Sequence, residues 1–557
     1  IAFKSNQNPI IFLIIFVAAY FLFFREIFTQ TAIQSPRLKK WLTLISDITA
    51  IGLIAVISAR ISFIPESTGA LEWTPDLVHM APLFETAAIA YLTSATAGAD
   101  MISQYGGLVE FARPILWLLD GDPLALMWFT YIAMAGAVLA QWLALRRVTG
   151  SAIAALLGIG AIFFLTGVKF MPFACFQCVH FRWFWPSIFL CLAAFYSTST
   201  QKSPYLPYFL FPIAIYWNPE TGLASAAAWI GWRLIANVVP VMTHSAETAK
   251  IRSVMVSAIC PAFGVGAGIF LVALYVATKS GQLLDIGLMS RFAKDFYLYG
   301  FYMLPMPSLH LWTIYAVIAG TLLVIGIQNY ARTPQSGLND GKNGFLVFAV
   351  LLFSLLFAYY QGRSFYGNLL AISYPLWLAI IVWLYSYSES PASIKKLLTT
   401  QPLKAAGLLV ISIGFAASLT TSFYLRPIND PFSKHDLAEK ANLKSWVEKT
   451  AAGRTPLFIS FSAWRLMLIT ETSHNSGTAP VAALLRKDQL QSYLAELQNP
   501  KYALYYDLTN DIYFSVENIV WVNQLRQVVK KITDYQKLKP VIFENNQGRL
   551  VLLNPIR

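Results

Sequence analysis

Long apolar runs recur along the first 425 residues of this 557-residue chain, and they constrain its fold more than any other feature. A helix of about 20 predominantly apolar residues crosses a bilayer. Such runs fall near 9–24, 41–63, 124–145, 151–167, 183–197, 204–217, 222–241, 255–277, 309–328, 344–360, 369–387 and 405–424. Several are shorter than about 18 residues, which helices inside a bundle tolerate. Composition agrees, with 57% of residues hydrophobic and only 12% charged. An ordinary soluble domain has about a quarter of its residues charged. The reading is an all-α polytopic membrane bundle of about 12–13 transmembrane helices over residues 1–425.

The formal charge of +13 invites a nucleic-acid reading, and its distribution argues against one. No basic stripe with interleaved aromatics appears. The basic residues sit instead in short connections: Arg25, Arg37, Lys39 and Lys40, then Arg146 and Arg147, then Lys202, Lys250 and Arg252, Arg332 and Lys342, and Lys395 and Lys396. Alternation of the runs puts all of these on one side, which the positive-inside rule makes cytoplasmic. The excess charge suits anionic lipid headgroups and phosphate-bearing ligands. The outer side then carries residues 64–123, 168–182, 218–221, 278–308, 361–368 and everything after 425. Residue 1 also falls outside, so one more helix upstream is expected. A transporter or lipid flippase would show internal repeats and ionisable residues in mid-membrane. No repeat is visible, and Asp47, Arg60 and Arg233 are the main ionisable residues within the runs.

After residue 425 the pattern changes. Segment 434–450 reads as an amphipathic helix, Pro456–Ser460 as a strand and 486–498 as a helix. Tyr502–Asp507 reads as a strand, 515–536 as a helix, and 540–553 as a hairpin turning at Asn545-Asn546-Gln547-Gly548. Alternating helix and strand over residues 426–557 predicts a small extracytoplasmic α/β domain with a partly parallel sheet.

Between two apolar spans, residues 64–123 form an outer loop far longer than a turn requires, and long polar loops are where function concentrates. It holds His79, Glu85, Asp100, Gln104, Tyr105 and Arg113. Stretches 81–95 and 108–119 read as two short helices on the membrane surface, with Asp100 and Gln104 between them. A carboxylate there suits a general base, while the plainer alternatives are a turn cap for Asp100 and a helix-start preference for Glu85. The same side carries Lys169, His180 and Arg182 around the aromatic run Trp183-Phe184-Trp185-Pro186. It also carries Glu220 in Trp217-Asn-Pro-Glu-Thr-Gly222, Asp285, Arg291, Lys294 and Asp295 in 285–295, and Arg363 in the turn from Tyr359 to Asn368. Cations with aromatic neighbours at a membrane surface suit a phosphate attached to a lipid chain. Interfacial anchoring is the other use of such residues. The four cysteines make no disulfide framework. Cys175 and Cys178 read as two interfacial cysteines, bridged or free, rather than as a redox motif or half of a zinc site.

Four motifs together carry a resemblance: His79 with Asp100-x-x-Ser-Gln-Tyr-Gly106; Arg182 with Trp185-Pro186; Trp217 to Gly222; and Tyr360-Gln-Gly-Arg363-Ser364 followed by Asn368-Leu369. Over roughly residues 41–390 the pattern resembles a bacterial branch of the GT-C superfamily of polytopic glycosyltransferases. The resemblance implies a bacterial inner membrane location and inverting transfer of a sugar from a polyprenyl-phosphate donor. The acceptor would be a glycan, lipid or protein on the outer face, and the base a carboxylate of the first large outer loop. Many members place that acid directly after the transmembrane helix, where this chain reads Asp76-Leu-Val-His79-Met80. Asp76 fills the role if the register shifts by a few residues; otherwise Asp100 or Glu85 does. The resemblance also implies that Arg363, Arg182 and Lys169 hold the donor phosphate, and that His79, Gln104, Tyr105, Glu220 and Asn368 contact substrate. Some members use a divalent metal ion such as Mg or Mn, and the spacing here does not decide the point. An O-antigen ligase or polymerase is the alternative enzyme, but its large loop comes late in the bundle rather than early.

Overall fold

The computed structural model describes residues 36–62, 75–103, 105–166, 179–197, 205–243, 249–298, 306–308, 310–332, 341–362, 366–388, 434–459, 463–472, 495, 497, 499–507, 541–545 and 548–552. Its first helices are α1 (Pro36–Ser62), α2 (Pro75–Thr93), α3 (Leu108–Leu118), α4 (Leu124–Thr149), α5 (Ala152–Leu165), α6 (Val179–Ser197) and α7 (Tyr205–Trp217). They are followed by α8 (Pro219–Thr243), α9 (Ala249–Ser280), α10 (Ile286–Leu298), α11 (Leu311–Arg332), α12 (Gly341–Gly362), α13 (Tyr366–Ile372) and α14 (Tyr374–Ser388).

Among the described residues, six helices (α1, α4, α8, α9, α11 and α12) are long and apolar enough to cross a membrane. Shorter apolar segments lie in α2, α5, α7 and α14. The chain is thus a mostly helical polytopic bundle, and the apolar runs from 41 to 387 correspond to its helices. Runs 9–24 and 405–424 lie outside the described residues. One run is corrected: 369–387 is not a single helix but breaks between α13 and α14 at Ser373. Pro375 in the first turn of α14 has no N–H to continue the ladder, and its ring crowds the preceding turn. The Ser373 hydroxyl instead donates to the Leu370 carbonyl at 2.7 Å, and the Ser373 carbonyl accepts from Trp377 N–H at 3.1 Å.

Helices differ in how much of their surface the protein covers. The apolar span of α12 is 72% buried and that of α4 61%, against 22% for both α9 and α11. The first two therefore form the interior, and the last two present Ile269, Phe270, Ile314 and Val317 outward, as lipid-facing helices do. α12 is packed among α6, α8, α11 and α14, and α4 lies along α6. Small residues permit the close crossings: a side chain at Gly268 of α9 would run into the Phe209 carbonyl of α7.

Polar contacts collect at the two ends. At one end Arg146 meets Asp47 at 3.3 Å, the Ser197 hydroxyl donates to Gly341 O at 2.9 Å, and Trp232 Nε1 donates to the Tyr330 hydroxyl at 3.0 Å. At the other end lie the start of α6, the α7–α8 turn, the ends of α9 and α12, and the loop between α2 and α3.

That second end also carries the C-terminal elements: α15 (Lys434–Ala451), β1 (Thr455–Ile459), α16 (Ala463–Thr470), β2 (Tyr502–Asp507), β3 (Val541–Asn545) and β4 (Gly548–Leu552). The sheet order is β1-β2-β4-β3, with β1 and β2 parallel and the other pairs antiparallel. Its parallel pair and hairpin agree with the sequence reading. The helices expected at 486–498 and 515–536 lie outside the described residues, apart from 495 and 497. The helix α16 was not anticipated; all eight of its residues are buried, and it packs against α2. Phe84 meets Trp464 edge-on with ring centroids 4.8 Å apart, and Lys440 reaches Asp122 at 3.2 Å.

Candidate active site

The loop between α2 and α3 is held by one buried carboxylate. Glu110, in the first turn of α3, accepts the Ala97 N–H at 3.0 Å on Oε1 and the Tyr275 hydroxyl at 2.7 Å on Oε2. Arg113 Nη1 lies 3.1 Å from the same Oε2, and Lys279 Nζ lies 3.9 Å from it. Arg113 Nη2 in turn donates to the carbonyls of Ala90 and Ala95. The Tyr216 hydroxyl donates to Ala97 O at 3.0 Å. Side chains from α3 and α7 thus converge on residues 95–97, and α9 braces Glu110 from the other side. A buried ion pair costs desolvation, which its mutual attraction and the added hydrogen bonds to Glu110 and from Arg113 Nη2 offset.

Beyond this anchor the chain turns twice. Asp100 is exposed, and its Oδ1 accepts the Thr96 N–H at 2.5 Å, closing the first turn. Asp285 N–H donates to Gly98 O at 2.7 Å, and the Asp285 carboxylate caps α10 through Leu288 N–H at 3.0 Å. The second turn docks on the end of α7, where Gly107 N–H donates to Tyr216 O at 2.6 Å. Gly106 has φ +73°, and a side chain at either glycine would strike Tyr216. This close approach buries Tyr105 with its ring 5.9 Å from the Arg182 guanidinium.

Arg182 lies at the start of α6 and is almost fully buried. Its Nη1 donates to Glu220 Oε2 at 2.6 Å, and its guanidinium stacks 3.7 Å over the Tyr359 ring. The Tyr359 hydroxyl donates to Asn368 Oδ1 at 3.5 Å. Neighbouring indoles fix the backbone around it: Trp183 Nε1 donates to Ala371 O at 2.7 Å and Trp217 Nε1 to Phe181 O at 3.1 Å. His180 Nε2 lies 3.1 Å from Ser62 Oγ. Arg182 and Glu220 line a cavity of about 240 Å³ whose remaining wall is mainly apolar, from Leu355 and Leu356 to Ile372.

Of the residues singled out by sequence, Arg182, Glu220 and Tyr105 come together, and Asn368 joins them through Tyr359. Asp100 is on the same loop as Tyr105. Glu85 lies apart, buried in α2; its carboxyl makes no hydrogen bond or ion pair among the described residues, and burial pushes its pKa up to about 8. The Asp76 and His79 side chains lie outside the described residues, as do Gln104, Lys169, Arg363, Cys175 and Cys178. Cys191 is unbridged. Among the described residues no group of three or more His, Cys, Asp or Glu side chains converges as a metal site would. Sequence reasoning passed over Glu110, Tyr275, Lys279 and Tyr359. Glu110-x-x-Arg113 did carry a signal, since residues three apart on a helix are neighbours.

No protein-family model matches the chain, and no curated protein matches it. Among solved structures the chain is similar to ArnT from Cupriavidus metallidurans, crystallised with undecaprenyl phosphate. The alignment covers 90% of this chain and 97% of that one at 11% identity, with a TM-score of 0.44.

Two outcomes follow from this geometry. Glu110→Ala leaves Arg113 buried without its carboxylate, and thermal unfolding is expected to show a loss of about 3–5 kcal/mol. Glu85 has the opposite kind of signature, in pH. Its folded pKa of about 8 exceeds the ordinary glutamate value of 4.5, so between those values the folded state binds the extra proton. Stability from this group is therefore fullest below pH ~4.5, falls as pH rises, and levels off above ~8. Glu85→Gln removes that slope, which melting curves across the range would record; an unchanged slope would exclude Glu85 as its source.

Proposed function

We propose that this chain is a membrane glycosyltransferase that moves a sugar from a polyprenyl-phosphate donor to a glycan, lipid or protein acceptor. The observation that carries the reading is Arg182: a buried guanidinium, flat on Tyr359 and paired with Glu220, at the head of an apolar cavity. A guanidinium fork matches phosphate oxygens, and an apolar wall suits the attached alcohol. The resemblance of the spaced motifs to the GT-C superfamily supports the same chemistry. Arg363 and Lys169 are further cations for this phosphate on the sequence reading.

The end bearing Arg182 is proposed to face out of the cytoplasm, at a bacterial inner membrane, with residues 426–557 on that side. Support comes from Arg146, Arg147, Arg332 and Lys342, which cluster towards the opposite end. Nucleotide sugars are cytoplasmic, so transfer outside needs a donor carried on lipid.

In the proposed step an acceptor hydroxyl attacks the anomeric carbon and forms the new glycosidic bond. The bond from that carbon to the phosphate oxygen breaks, and the electron pair leaves with the phosphate, where Arg182 stabilises it. The hydroxyl proton passes to a carboxylate. An inverting attack comes from the face opposite the leaving phosphate, so Glu220, bonded to Arg182, stands on the wrong side for that task. Glu85 is protonated at neutral pH and starts as an acid. Asp100, exposed on the loop that brings Tyr105 to Arg182, is the base we propose, with Asp76 next in line. Tyr105 and the neighbouring Gln104 then orient sugar hydroxyls, as do His79 and Asn368.

Purified protein in proteoliposomes, supplied with polyprenyl-phosphate sugar and assayed for transfer, tests the reading. Asp100→Asn is expected to lower turnover by about 10²–10⁴-fold with donor affinity kept. Full activity in that variant removes Asp100 as base, and a wild-type protein that neither turns over nor binds any such donor removes the enzyme.

A further inference from the structure

The helix α3 is apolar on both of its faces. Its inward side buries Leu108, Val109, Ala112 and Leu116, and its open side presents Pro114, Trp117 and Leu118. A helix apolar all round is one whose solvent is not water. Among the described residues, Leu283 and Leu118 are the most exposed large apolar side chains, at 81% and 79%. Trp117 and Ile286 are each more than half exposed. A lone surface leucine is ordinary, but a group of large apolar side chains marks an interaction surface.

The level of these residues in the fold identifies the partner. The apolar span of α9 is 19 residues long and ends at Ser280. That is about 28 Å of helix, close to the thickness of a hydrocarbon core. Gly281, at φ +69°, ends the helix with its N–H on Ala277 O at 3.0 Å and turns the chain aside. Leu283 therefore stays within about 10 Å of the end of the span. Lys279 ties α3 to the same level, with its ammonium 5.1 Å from the Trp117 ring and 3.9 Å from Glu110 Oε2. Trp and Lys at the end of an apolar span suit a headgroup boundary. The exposed side of α9, with Phe270, Leu271 and Leu274, leads up to the patch.

The covered side of the same turn holds the Asp100 loop. Leu284, next to Leu283, lies so close to Gly98 that a side chain there would strike it. Asp285 N–H donates to Gly98 O at 2.7 Å. One short segment thus has Leu283 and Ile286 facing outward, and Leu284 and the Asp285 backbone on the loop.

We propose that Trp117, Leu118, Leu283 and Ile286 form a wedge seated in the phospholipid leaflet at the Arg182 end, and that the bilayer thereby holds the α9–α10 turn on the loop carrying Asp100. The partner is the bilayer and not the sugar donor, so the proposal stands independently of the transferase reading.

The full chain in liposomes of phosphatidylethanolamine and phosphatidylglycerol tests the surface, with photoreactive benzoylphenylalanine in place of Leu118 or Leu283. Irradiation and mass spectrometry are expected to show phospholipid adducts at both positions, about ten-fold above those from the same group at the exposed Glu448 of α15. Crosslinked dimers in place of lipid adducts would assign the patch to a second copy, and yields no higher than at Glu448 would leave it in water. Either result overturns the proposal. Hydrogen exchange reads the hold on the loop. Leu283→Asn combined with Ile286→Asn changes only exposed side chains, and amide exchange over residues 95–101 in the same liposomes is expected to rise about ten-fold. Unchanged exchange there overturns the hold, as does an equal rise in α4 and α12, which marks general destabilisation.

Discussion

The arrangement of the end of this bundle that bears Arg182 depends on one buried carboxylate. Glu110 takes a backbone N–H from the loop, a hydroxyl from α9 and the charge of Arg113, whose other nitrogen gathers two more loop carbonyls. Of the loop's few apolar side chains, those of Ala95, Ala97, Met101 and Tyr105 are buried in the bundle core. Ordering residues 94–107 costs conformational entropy that a few solvent-exposed contacts do not repay. Buried, charge-assisted hydrogen bonds are the stronger kind, and here they set the position of Asp100 and Tyr105 relative to the helices. The Arg182 site is therefore assembled from two sides: rigid helix starts supply the guanidinium and Glu220, and an anchored loop supplies Tyr105.

The same site shows how a helical bundle makes room for a charged group. α13 and α14 replace one straight helix, and the break leaves Ile372 and Tyr374 in the cavity wall instead of a continuous ladder. Irregular backbone at membrane depth persists where protein covers it or it lines a cavity. Arg182 is stabilised by Glu220 and by the face of Tyr359, both of which compensate for lost water. Packing of α16 on α2 brings the C-terminal sheet to this same end.

Much of this was legible in the sequence because its periodicities are strong. The apolar runs from 41 to 387 read as helices since hydrocarbon solvent demands them, and β1, β2 and the β3–β4 hairpin read from short strand patterns. Arg182 and Glu220 were singled out on separate motifs, but their pairing across α6 and α8 is a tertiary fact that spacing does not carry. Glu110 was passed over because a carboxylate in a helix's first turn already has a local explanation. Its partners Tyr275 and Lys279 come from a span far along the chain. Helix α16 was missed for a similar reason: Ala463–Thr470 is short and contains Arg465, and its burial comes from α2, nearly four hundred residues earlier by the numbering. Asp100 shows the converse, since the turn-capping role weighed from sequence is present.

The central claim is that a lipid-linked phosphate docks at Arg182 inside the bundle. A polyprenyl phosphate carrying a photoreactive group beside its phosphate, crosslinked to the wild-type protein and mapped by mass spectrometry, tests it most directly. The account predicts adducts on residues 182–183 and 355–359, competed away by unlabelled polyprenyl phosphate. Adducts confined to the lipid-facing surfaces of α9 and α11, with none at the cavity, would contradict it.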